Sequence, residues 1–331
     1  MKSNISDRLH FLFNRIGKII LFLIYSFGVS ILIIEIIFRL LPPMSTGNGN
    51  GIGKAWYKKF WNPINQQGYR DIEVKLQSSK KLIITIGDSF TAGHGVLFNE
   101  TYTSILRKKF KKNYDLVNLG YNGASTLKER ENFVSFIKNY KKNPDIVIYQ
   151  YYGNDIHDLA AVNDCFKNMG KVRKMLIKIS YLYSYFDSLI LQKNFNSCYL
   201  TKLKEAYLDK SKFIIHKNDI KDLIKLMQKK NNKIIFVTFP FLNNDQVLLN
   251  SNNLYISDLK REFLNFCREG DWFYDPSLTA LNLSIKDRVV NFMDAHPSKL
   301  LHETVANDLG TLILNAKNTD SVKGVKRCDN K

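Results

Sequence analysis

Three residues in this 331-residue sequence are of the types that activate a hydroxyl for attack on an ester. Ser89 lies in the segment GDSFTAG, and His296 lies in the segment DAHP, two residues after Asp294. An imidazole that takes the proton of a serine hydroxyl makes it a nucleophile, and a carboxylate beside the imidazole orients it. The chain order Ser, Asp, His is one of several that fit this geometry, so the residues indicate acyl-transfer chemistry.

Neutral hydrogen-bond donors that acyl transfer also needs lie between these residues. The segment NLGYNG contains Gly120 and Gly123, whose backbone N–H groups can approach a ligand closely, and the segment GND contains the side-chain amide of Asn154. Such donors stabilise the negative oxygen that develops in the transition state. The sequence therefore contains candidates for a nucleophile, a base, a supporting acid and an oxyanion hole.

Each residue also has an ordinary structural interpretation. A serine after a strand commonly caps a helix, and Asn154 with Asp155 could form an Asx turn. His94 lies near Ser89, and we interpret it as a loop or rim residue. His157 and Asp158 lie with Asp155 on one loop that lacks an external partner, which is a weak metal site, so we assign no metal. The conjunction of the four segments favours catalysis.

Short apolar runs alternate with helical stretches from residue 81 onward, which predicts the frame that positions these groups. Strands are predicted over residues 82–87, 115–120, 145–152, 233–240 and 272–274, and the last helix over residues 298–315. Strands that are apolar throughout indicate a parallel sheet covered by helices on both faces. Ligands of such sheets bind at the carboxyl ends of the strands, where Ser89, Gly123 and Asn154 are expected to meet.

The four segments, in this order, resemble the SGNH, or GDSL, hydrolase superfamily of esterases and lipases over about residues 81–315. The resemblance implies a flavodoxin-like α/β fold, a three-layer α/β/α sandwich with a mainly parallel sheet. It makes Ser89 the nucleophile and its N–H one oxyanion donor, with Gly123 and Asn154 as the other donors. It makes His296 the general base and Asp294 the carboxylate that supports it. Neither a metal nor another cofactor is expected.

The Asp–His spacing differs in detail from what the resemblance implies, and the oxyanion segment offers two glycines. Many members have the Asp three residues before the His, whereas Asp294 precedes His296 by two, and Met293 occupies the other position. We expect loss of Asp294 to reduce activity less than loss of the serine or the histidine. In the oxyanion segment, Gly120 is the alternative to Gly123. The segment from Asn65 to Asp71 resembles the N-x-x-G-x-R-D preamble of membrane-linked bacterial members.

A 20-residue apolar segment precedes this domain. Residues 19–38, IILFLIYSFGVSILIIEIIF, contain a single charge and as a helix would span roughly 30 Å, the hydrocarbon thickness of a bilayer. A secretory signal has a shorter apolar core and small residues at a cleavage site, whereas Arg39 and two prolines follow here. Basic residues before the segment place the N-terminus in the cytoplasm and the rest outside.

The predicted organisation has five parts. Residues 1–18 form the cytoplasmic N-terminus, 19–41 the transmembrane helix, 42–77 a linker and juxtamembrane segment, 78–316 the hydrolase domain with a helical insertion at about 160–215, and 317–331 a polar C-terminal tail. Residues 42–54 have the composition of a flexible spacer. The aromatic and lysine-rich residues 56–61 either lie at the lipid headgroups or pack on the domain. Cys165 and Cys198, both in the insertion, could pair outside the cytoplasm.

The net charge of +19, from 49 Lys and Arg against 30 Asp and Glu, first suggests nucleic acid as a partner. The lysines are spread over predicted helix ends and exposed faces, so we expect attraction to anionic headgroups or acidic glycans instead, and no nucleic-acid partner. The predicted protein is a membrane-anchored serine esterase of O-acyl groups, with acetyl groups on surface glycans as the expected substrate and lipid esters as the second substrate class. An O-acyltransferase and an inactive tethered glycan-binding protein are the alternatives, and the sequence leaves the oligomeric state open.

Overall fold

A computed structural model describes residues 3–47, 51–167, 170–229, 232–242, 255–314 and 322–328. The strands are β1 (Lys81–Ile86), β2 (Tyr114–Asn118), β3 (Ile146–Tyr151), β4 (Lys233–Thr238), β5 (Trp272–Tyr274), β6 (Val289–Asn291), β7 (Asp294–Pro297) and β8 (Val325–Arg327). The helices are α1 (Ser3–Leu40), α2 (Gly51–Phe60), α3 (Ser89–Ala92), α4 (Tyr102–Phe110), α5 (Thr126–Tyr140), α6 (Asn163–Lys167), α7 (Lys171–Ile179), α8 (Tyr181–Phe186), α9 (Gln192–Leu208), α10 (Lys210–Met227), α11 (Tyr255–Phe266), α12 (Ser277–Leu281), α13 (Ile285–Arg288) and α14 (Lys299–Leu314).

The main sheet has the strand order β2-β1-β3-β4-β5-β8. The first five strands are parallel, and β8 pairs antiparallel with β5. The order 2-1-3-4-5 is that of flavodoxin-like sheets, in which the crevice at the carboxyl ends of β1 and β3 is the usual place for a ligand. The predicted fold class is confirmed, and the short strands β6 and β7 form a separate antiparallel pair.

Two hydrophobic cores lie on the two faces of the sheet, because successive side chains of a strand point to opposite sides. In β1, Leu82 and Ile84 belong to one core and Ile83 to the other. The first core is closed by α5, α9, α10 and α11, and the second by α4 and α14. These two helical layers complete the sandwich.

Helix α1 is longer than the predicted span. Its segment His10–Leu40 contains an 18-residue window with a mean hydropathy of 2.5, no residue of which is buried, so the helix is long and apolar enough to cross a membrane. A signal sequence near an N-terminus would meet the same criteria. The observation thus supports a membrane segment or a targeting segment, and the orientation remains a prediction.

The segment after α1 differs from the flexible spacer that its composition predicts. Ser45 and Thr46 are buried against the domain, and α2 already begins at Gly51. Residues 48–50 lie outside the described residues. Trp56 of α2 is 5% exposed, so at this residue the aromatic segment packs on the domain and does not face the solvent. The linker is therefore part of the folded unit on both sides of residues 48–50.

The four cysteines form two disulfides. Cys165 bonds to Cys198 within the insertion, a pairing that the sequence left undecided, and Cys267 bonds to Cys328. The second bond attaches residues 322–328, part of the predicted polar tail, which contribute β8 to the sheet. The remainder of that tail, residues 317–321 and 329–331, lies outside the described residues. Sequence patterns missed β8 because a three-residue strand has too few positions to show a period.

Candidate active site

Ser89 is the first residue of α3, immediately beyond the carboxyl end of β1. Asp88, and not Ser89, caps this short helix, since its carboxylate accepts the N–H of Phe90 at 2.9 Å. A Cβ atom at Gly87 would lie 2.3 Å from the side-chain oxygen of Gln150 on β3, so the turn into α3 requires glycine at this position. The capping role is thus filled by a neighbour, and the Ser89 hydroxyl is left for other contacts.

His296 and Asp294 reach Ser89 from β7. The Ser89 hydroxyl lies 2.9 Å from His296 Nε2, and His296 Nδ1 lies 2.5 Å from Asp294 Oδ1. In a strand, residues two apart project from the same face, so the two-residue spacing places the carboxylate beside the imidazole. The departure from the three-residue spacing is therefore compatible with a Ser-His-Asp arrangement, because the segment here is extended.

The protonation of this pair is set by opposing effects. Burial disfavours the charged form of both groups, but the charge of Asp294 and its hydrogen bond raise the pKa of His296 above its ordinary value. The same pairing, with a weaker contribution from His94, holds the pKa of Asp294 well below its usual range despite burial. Asp294 is consequently ionised at neutral pH, and the His296 imidazole is a stronger base than a free histidine.

His94 is not the loop or rim residue that the sequence suggested. It is 3% exposed, and its ring stacks on that of His296 with centroids 4.2 Å apart. Burial, together with the nearby His296, lowers the pKa of His94 to about 3, so it is neutral at pH 7. Trp56 and Tyr57 of α2 pack against its ring. Nothing in its sequence context, between two glycines, indicated this burial.

A chain of hydrogen bonds joins His94 to Asp294 through the linker. Asn122 donates its side-chain amide to His94 Nδ1 at 2.9 Å, which makes this nitrogen an acceptor and leaves the proton on Nε2. His94 Nε2 lies 3.2 Å from the hydroxyl of Ser45, and Ser45 donates to Asp294 Oδ2. Both oxygens of the Asp294 carboxylate are thus engaged, one by His296 and the other by a residue that follows the N-terminal helix.

The two candidate glycines have different surroundings. The N–H of Gly120 donates to the side chain of Asn118 at 2.9 Å, and a Cβ atom there would collide with the backbone of α3. Gly123 is exposed at the third position of a turn that Ala124 closes by donating to Tyr121, and its φ of +69° favours glycine. The occupied N–H of Gly120 leaves Gly123 as the better candidate for an oxyanion donor.

Asn154 lies in the turn after β3 and is half-buried. Asp155 holds this turn, because its carboxylate accepts the N–H of Tyr152 at 3.0 Å. The Asn154 side chain lies close enough to Asp88, next to the Ser89 hydroxyl, and to Tyr199 of the insertion to act on the pKa of each in the direction that favours the ionised form. The insertion therefore reaches the predicted oxyanion edge, where a segment that shapes the substrate site would be expected.

Arg70 and Asp71, in the preamble to which the sequence assigned no chemistry, brace the loops of the site. The buried Arg70 guanidinium donates to the carbonyls of Gly93 and Val96, on either side of His94. The Asp71 carboxylate accepts the N–H of Asn118 at 2.8 Å. Burial lowers the pKa of Arg70 to about 10, which still leaves it charged at neutral pH. A buried arginine is expected to donate to backbone carbonyls, but which carbonyls Arg70 contacts depends on the fold.

His94, Asp294 and His296 are also of the residue types that bind metal ions. Within the described part of the chain, the side chains of His94, Asp294 and His296 offer ligand atoms that all lie within 4.8 Å of one another. His94 and His296 are nearly parallel and stacked, however, whereas a metal must lie near the plane of each imidazole that binds it. Nδ1 of His296 also contacts the Asp294 carboxylate directly. The cluster fits a hydrogen-bonded triad better than a metal centre.

One family of known proteins matches the part of the chain that contains the site. Residues 85–304, more than half of the chain, match the model of the GDSL-like Lipase/Acylhydrolase family. No curated protein matches the chain. The matched range begins within β1 and ends in α14, so it includes Ser89, Gly123, Asn154, Asp294 and His296.

Several solved structures are similar. LAE5, an alpha/beta hydrolase from the metagenome of Lake Arreo, Spain, is 16% identical over 74% of this chain and 97% of its own, with a TM-score of 0.44. A putative lipolytic protein of the G-D-S-L family from Desulfitobacterium hafniense DCB-2 is 13% identical over 70% and 99%, with a TM-score of 0.42. A carbohydrate acetylesterase family member from Sinorhizobium meliloti is 12% identical over 72% and 99%, with a TM-score of 0.38. At these values none of them carries an argument about substrate.

Proposed function

Because the chain belongs to the GDSL-like Lipase/Acylhydrolase family, we propose that it is a membrane-anchored serine esterase that uses Ser89, His296 and Asp294. Membership makes the chain a hydrolase of ester bonds. What is proposed is which residues catalyse the reaction, which ester is hydrolysed and where in the cell the domain lies. The observation that carries it is the contact of the Ser89 hydroxyl with His296 Nε2 at 2.9 Å, in line with the contact of His296 Nδ1 with Asp294.

The proposed reaction has two steps. In the first, the Ser89 hydroxyl gives its proton to His296 Nε2 while its oxygen attacks the acyl carbon, and His296 then returns the proton to the departing alcohol. In the second, His296 takes a proton from water as the water oxygen attacks the acyl carbon, and it then gives this proton to the Ser89 oxygen as the bond to the acyl group breaks and the carboxylic acid leaves. The N–H groups of Ser89 and Gly123 and the amide of Asn154 stabilise the oxyanion in both steps.

Labelling with a fluorophosphonate probe tests the nucleophile. We expect the probe to modify the folded protein and the Ser89→Ala variant to remain unlabelled, with a loss of kcat of roughly 10⁶-fold. Ser298→Ala is the control, because Ser298 lies close to His296 in the chain but donates to the backbone carbonyl of Asp287. Labelling that persists in the Ser89→Ala variant would refute the assignment.

The proposed location is extracytoplasmic, with α1 as an uncleaved anchor. Basic residues precede the apolar segment, and all four cysteines are paired, as is typical of proteins that fold in an oxidising compartment. A reporter fused after residue 331 tests this topology. We expect alkaline phosphatase, which works only outside the cytoplasm, to be active in the fusion. Activity only with a reporter that works in the cytoplasm would contradict the proposed orientation.

The proposed substrate is an O-acetylated glycan at the cell surface. The tethered location and the net charge of +19 support it, because both keep the domain near acidic polymers of the envelope. Acetate release from O-acetylated polysaccharide is the direct measurement, with p-nitrophenyl acetate and p-nitrophenyl palmitate as the small and large model esters. A preference for palmitate would favour lipid esters instead. Acyl groups that appear on an added acceptor sugar, and not as free acid, would identify a transferase.

A further inference from the structure

Helix α7, within the insertion, exposes a row of apolar side chains to solvent. Val172, Met175 and Ile179 are 66%, 52% and 55% exposed, and their spacing of three and four residues places them on one face of the helix. Ile177, on a different face, is 5% exposed and packs against the domain. The apolar row is thus not needed for packing within the described part of the chain.

A row of lysines runs beside the apolar row. Lys171, Lys174 and Lys178 repeat the same spacing one residue earlier, so they lie about 100° around the helix from the apolar row. All three are exposed, and α7 contains no acidic residue. The remaining cation, Arg173, is already paired with Asp187 at 2.7 Å. An apolar face bordered by exposed lysines is typical of a helix that lies in the interface of a membrane.

The carboxyl end of α7 is attached to the end of α1. Arg39 donates through Nη2 to the carbonyl of Ile179 at 2.6 Å. The Glu35 carboxylate accepts the N–H groups of Tyr181 and Leu182 at 2.9 and 3.0 Å, and so caps the N-terminus of α8. The single acid of the apolar segment therefore has a specific structural role at the start of α8.

This attachment sets the level of the carboxyl end of α7 along the axis of α1. Glu35 lies five residues before Leu40, where α1 ends, which corresponds to roughly 7.5 Å along the helix axis. The side chains of Ile36, Ile37 and Leu40 are exposed and apolar. The junction of α7 and α8 thus lies at the end of the apolar surface of α1, at the level where a bilayer that surrounds α1 would change from hydrocarbon to headgroups.

We propose that α7 lies in the headgroup region of an anionic phospholipid bilayer, with its apolar row towards the hydrocarbon and its lysines on the lipid phosphates. The proposal rests on the proposed membrane anchoring, and the bilayer is the one that α1 crosses. A second copy of the chain is a poorer occupant, because two lysine-bordered faces would repel each other. Because Tyr199 of the same insertion contacts Asn154, this contact with the membrane would hold the active site at a fixed height above the bilayer.

A depth measurement tests the proposal. The four native cysteines are paired, so Met175→Cys adds the only free thiol to the full-length protein, and an NBD fluorophore can be attached to it. In vesicles that contain phosphatidylglycerol, we expect quenching by a phospholipid with a shallow spin label and protection from iodide in the water. Lys112→Cys is the matched control, because Lys112 is exposed near the amino ends of the strands, opposite Ser89. We expect iodide, and not the lipid label, to quench this position.

Charge reversal tests the role of the lysines. In the labelled protein, Lys171→Glu/Lys174→Glu/Lys178→Glu is expected to shift the equilibrium from docked to detached α7 by roughly 100-fold, and replacing phosphatidylglycerol by phosphatidylcholine should act in the same direction. Iodide quenching at position 175 equal to that at position 112 would overturn the proposal. Protection that appears only at high protein density would assign the face to a second copy and overturn it as well.

Failure of this inference is distinguishable from failure of the proposed function. A protein that floats with vesicles and hydrolyses p-nitrophenyl acetate, but whose label at position 175 is exposed to water, contradicts only the docking of α7. A protein that does not float with vesicles contradicts the anchor, and one that floats but lacks hydrolysis contradicts the catalytic assignment.

Discussion

At the scale of single residues, the proposed mechanism makes the pKa of His296 the quantity that sets the pH range of activity. The imidazole must be neutral to accept the proton of Ser89, and its pKa is raised by Asp294. Activity should therefore be lost as the pH falls through this raised pKa, which lies above the ordinary value of about 6.5. The buried His94 stays neutral over this range, so it adds no charge beside the imidazolium that forms during the reaction.

The Asp294→Asn variant tests this account. Removal of the negative charge should shift the rising limb of kcat/KM against pH towards lower pH, because it removes the interaction that favours the protonated imidazole. The rate at high pH should fall by roughly 10²- to 10⁴-fold, less than in Ser89→Ala. Rates on p-nitrophenyl acetate from about pH 5 to pH 9 provide the measurement. An unshifted limb would mean that a group other than His296 controls it.

At the scale of elements, the linker between α1 and α2 is a wall of the site. Ser45 donates to the Asp294 oxygen that His296 does not use, and its carbonyl accepts the side-chain amide of Asn291 at 2.9 Å. A segment that follows the N-terminal apolar helix thus fixes the orientation of the Asp294 carboxylate. Because both Ser45 and Asp294 are buried, water does not readily replace the hydroxyl when it is removed.

Removal of the Ser45 hydroxyl should therefore lower the rate of the catalysed reaction. We expect Ser45→Ala to lower kcat roughly tenfold with little change in KM, since the lost hydrogen bond orients the acid and does not touch the substrate. Ser45→Thr, which retains a hydroxyl, should recover most of the rate. Ser30→Ala is the matched control, because Ser30 donates only to the backbone of α1. Equal rates for Ser45→Ala and Ser30→Ala would show that the linker has no part in catalysis.

At the scale of the whole molecule, two disulfides secure the last strand of the sheet and the insertion. Cys267–Cys328 joins the end of β8, the edge strand three positions from β3, to the end of α11 and spans 61 residues. Cys165–Cys198 lies within the insertion, and Tyr199, the residue after Cys198, contacts Asn154. The first bond therefore concerns the stability of the fold, whereas the second also concerns the active site.

The two double-serine variants should separate these roles. Cys267→Ser/Cys328→Ser is expected to lower the free energy of unfolding by on the order of 2–4 kcal/mol, because the bond closes a long loop, and to leave kcat/KM at 25 °C nearly unchanged. Cys165→Ser/Cys198→Ser should lower both stability and kcat/KM. Thermal unfolding and initial rates, each with and without reductant, measure the two effects. A loss of kcat/KM confined to the first variant would contradict this division.

The sequence alone predicted the parallel sheet of this protein and the positions of its candidate site residues. Buried strands read as apolar runs, so β1 to β5 were predicted within about two residues of their bounds, and Ser89, Gly123 and Asn154 were placed at the ends of the first three. The apolar segment was equally clear, because a long run of apolar residues needs no partner to be recognised. These features are local, and a local pattern is sufficient to predict them.

Only the tertiary structure decided which distant residues complete the site. Ser45 and Asp294 are 249 residues apart, His94 and His296 are 202 residues apart, and neither contact has a signature in spacing or composition. A serine in a Gly- and Asn-rich linker and a histidine between glycines are typical of loops. Their burial follows from tertiary packing, because the His94 ring lies against α2 and against His296 of β7, and Ser45 lies against Asp294. The free energy of a hydrogen bond to a buried carboxylate exists only after that packing has excluded water.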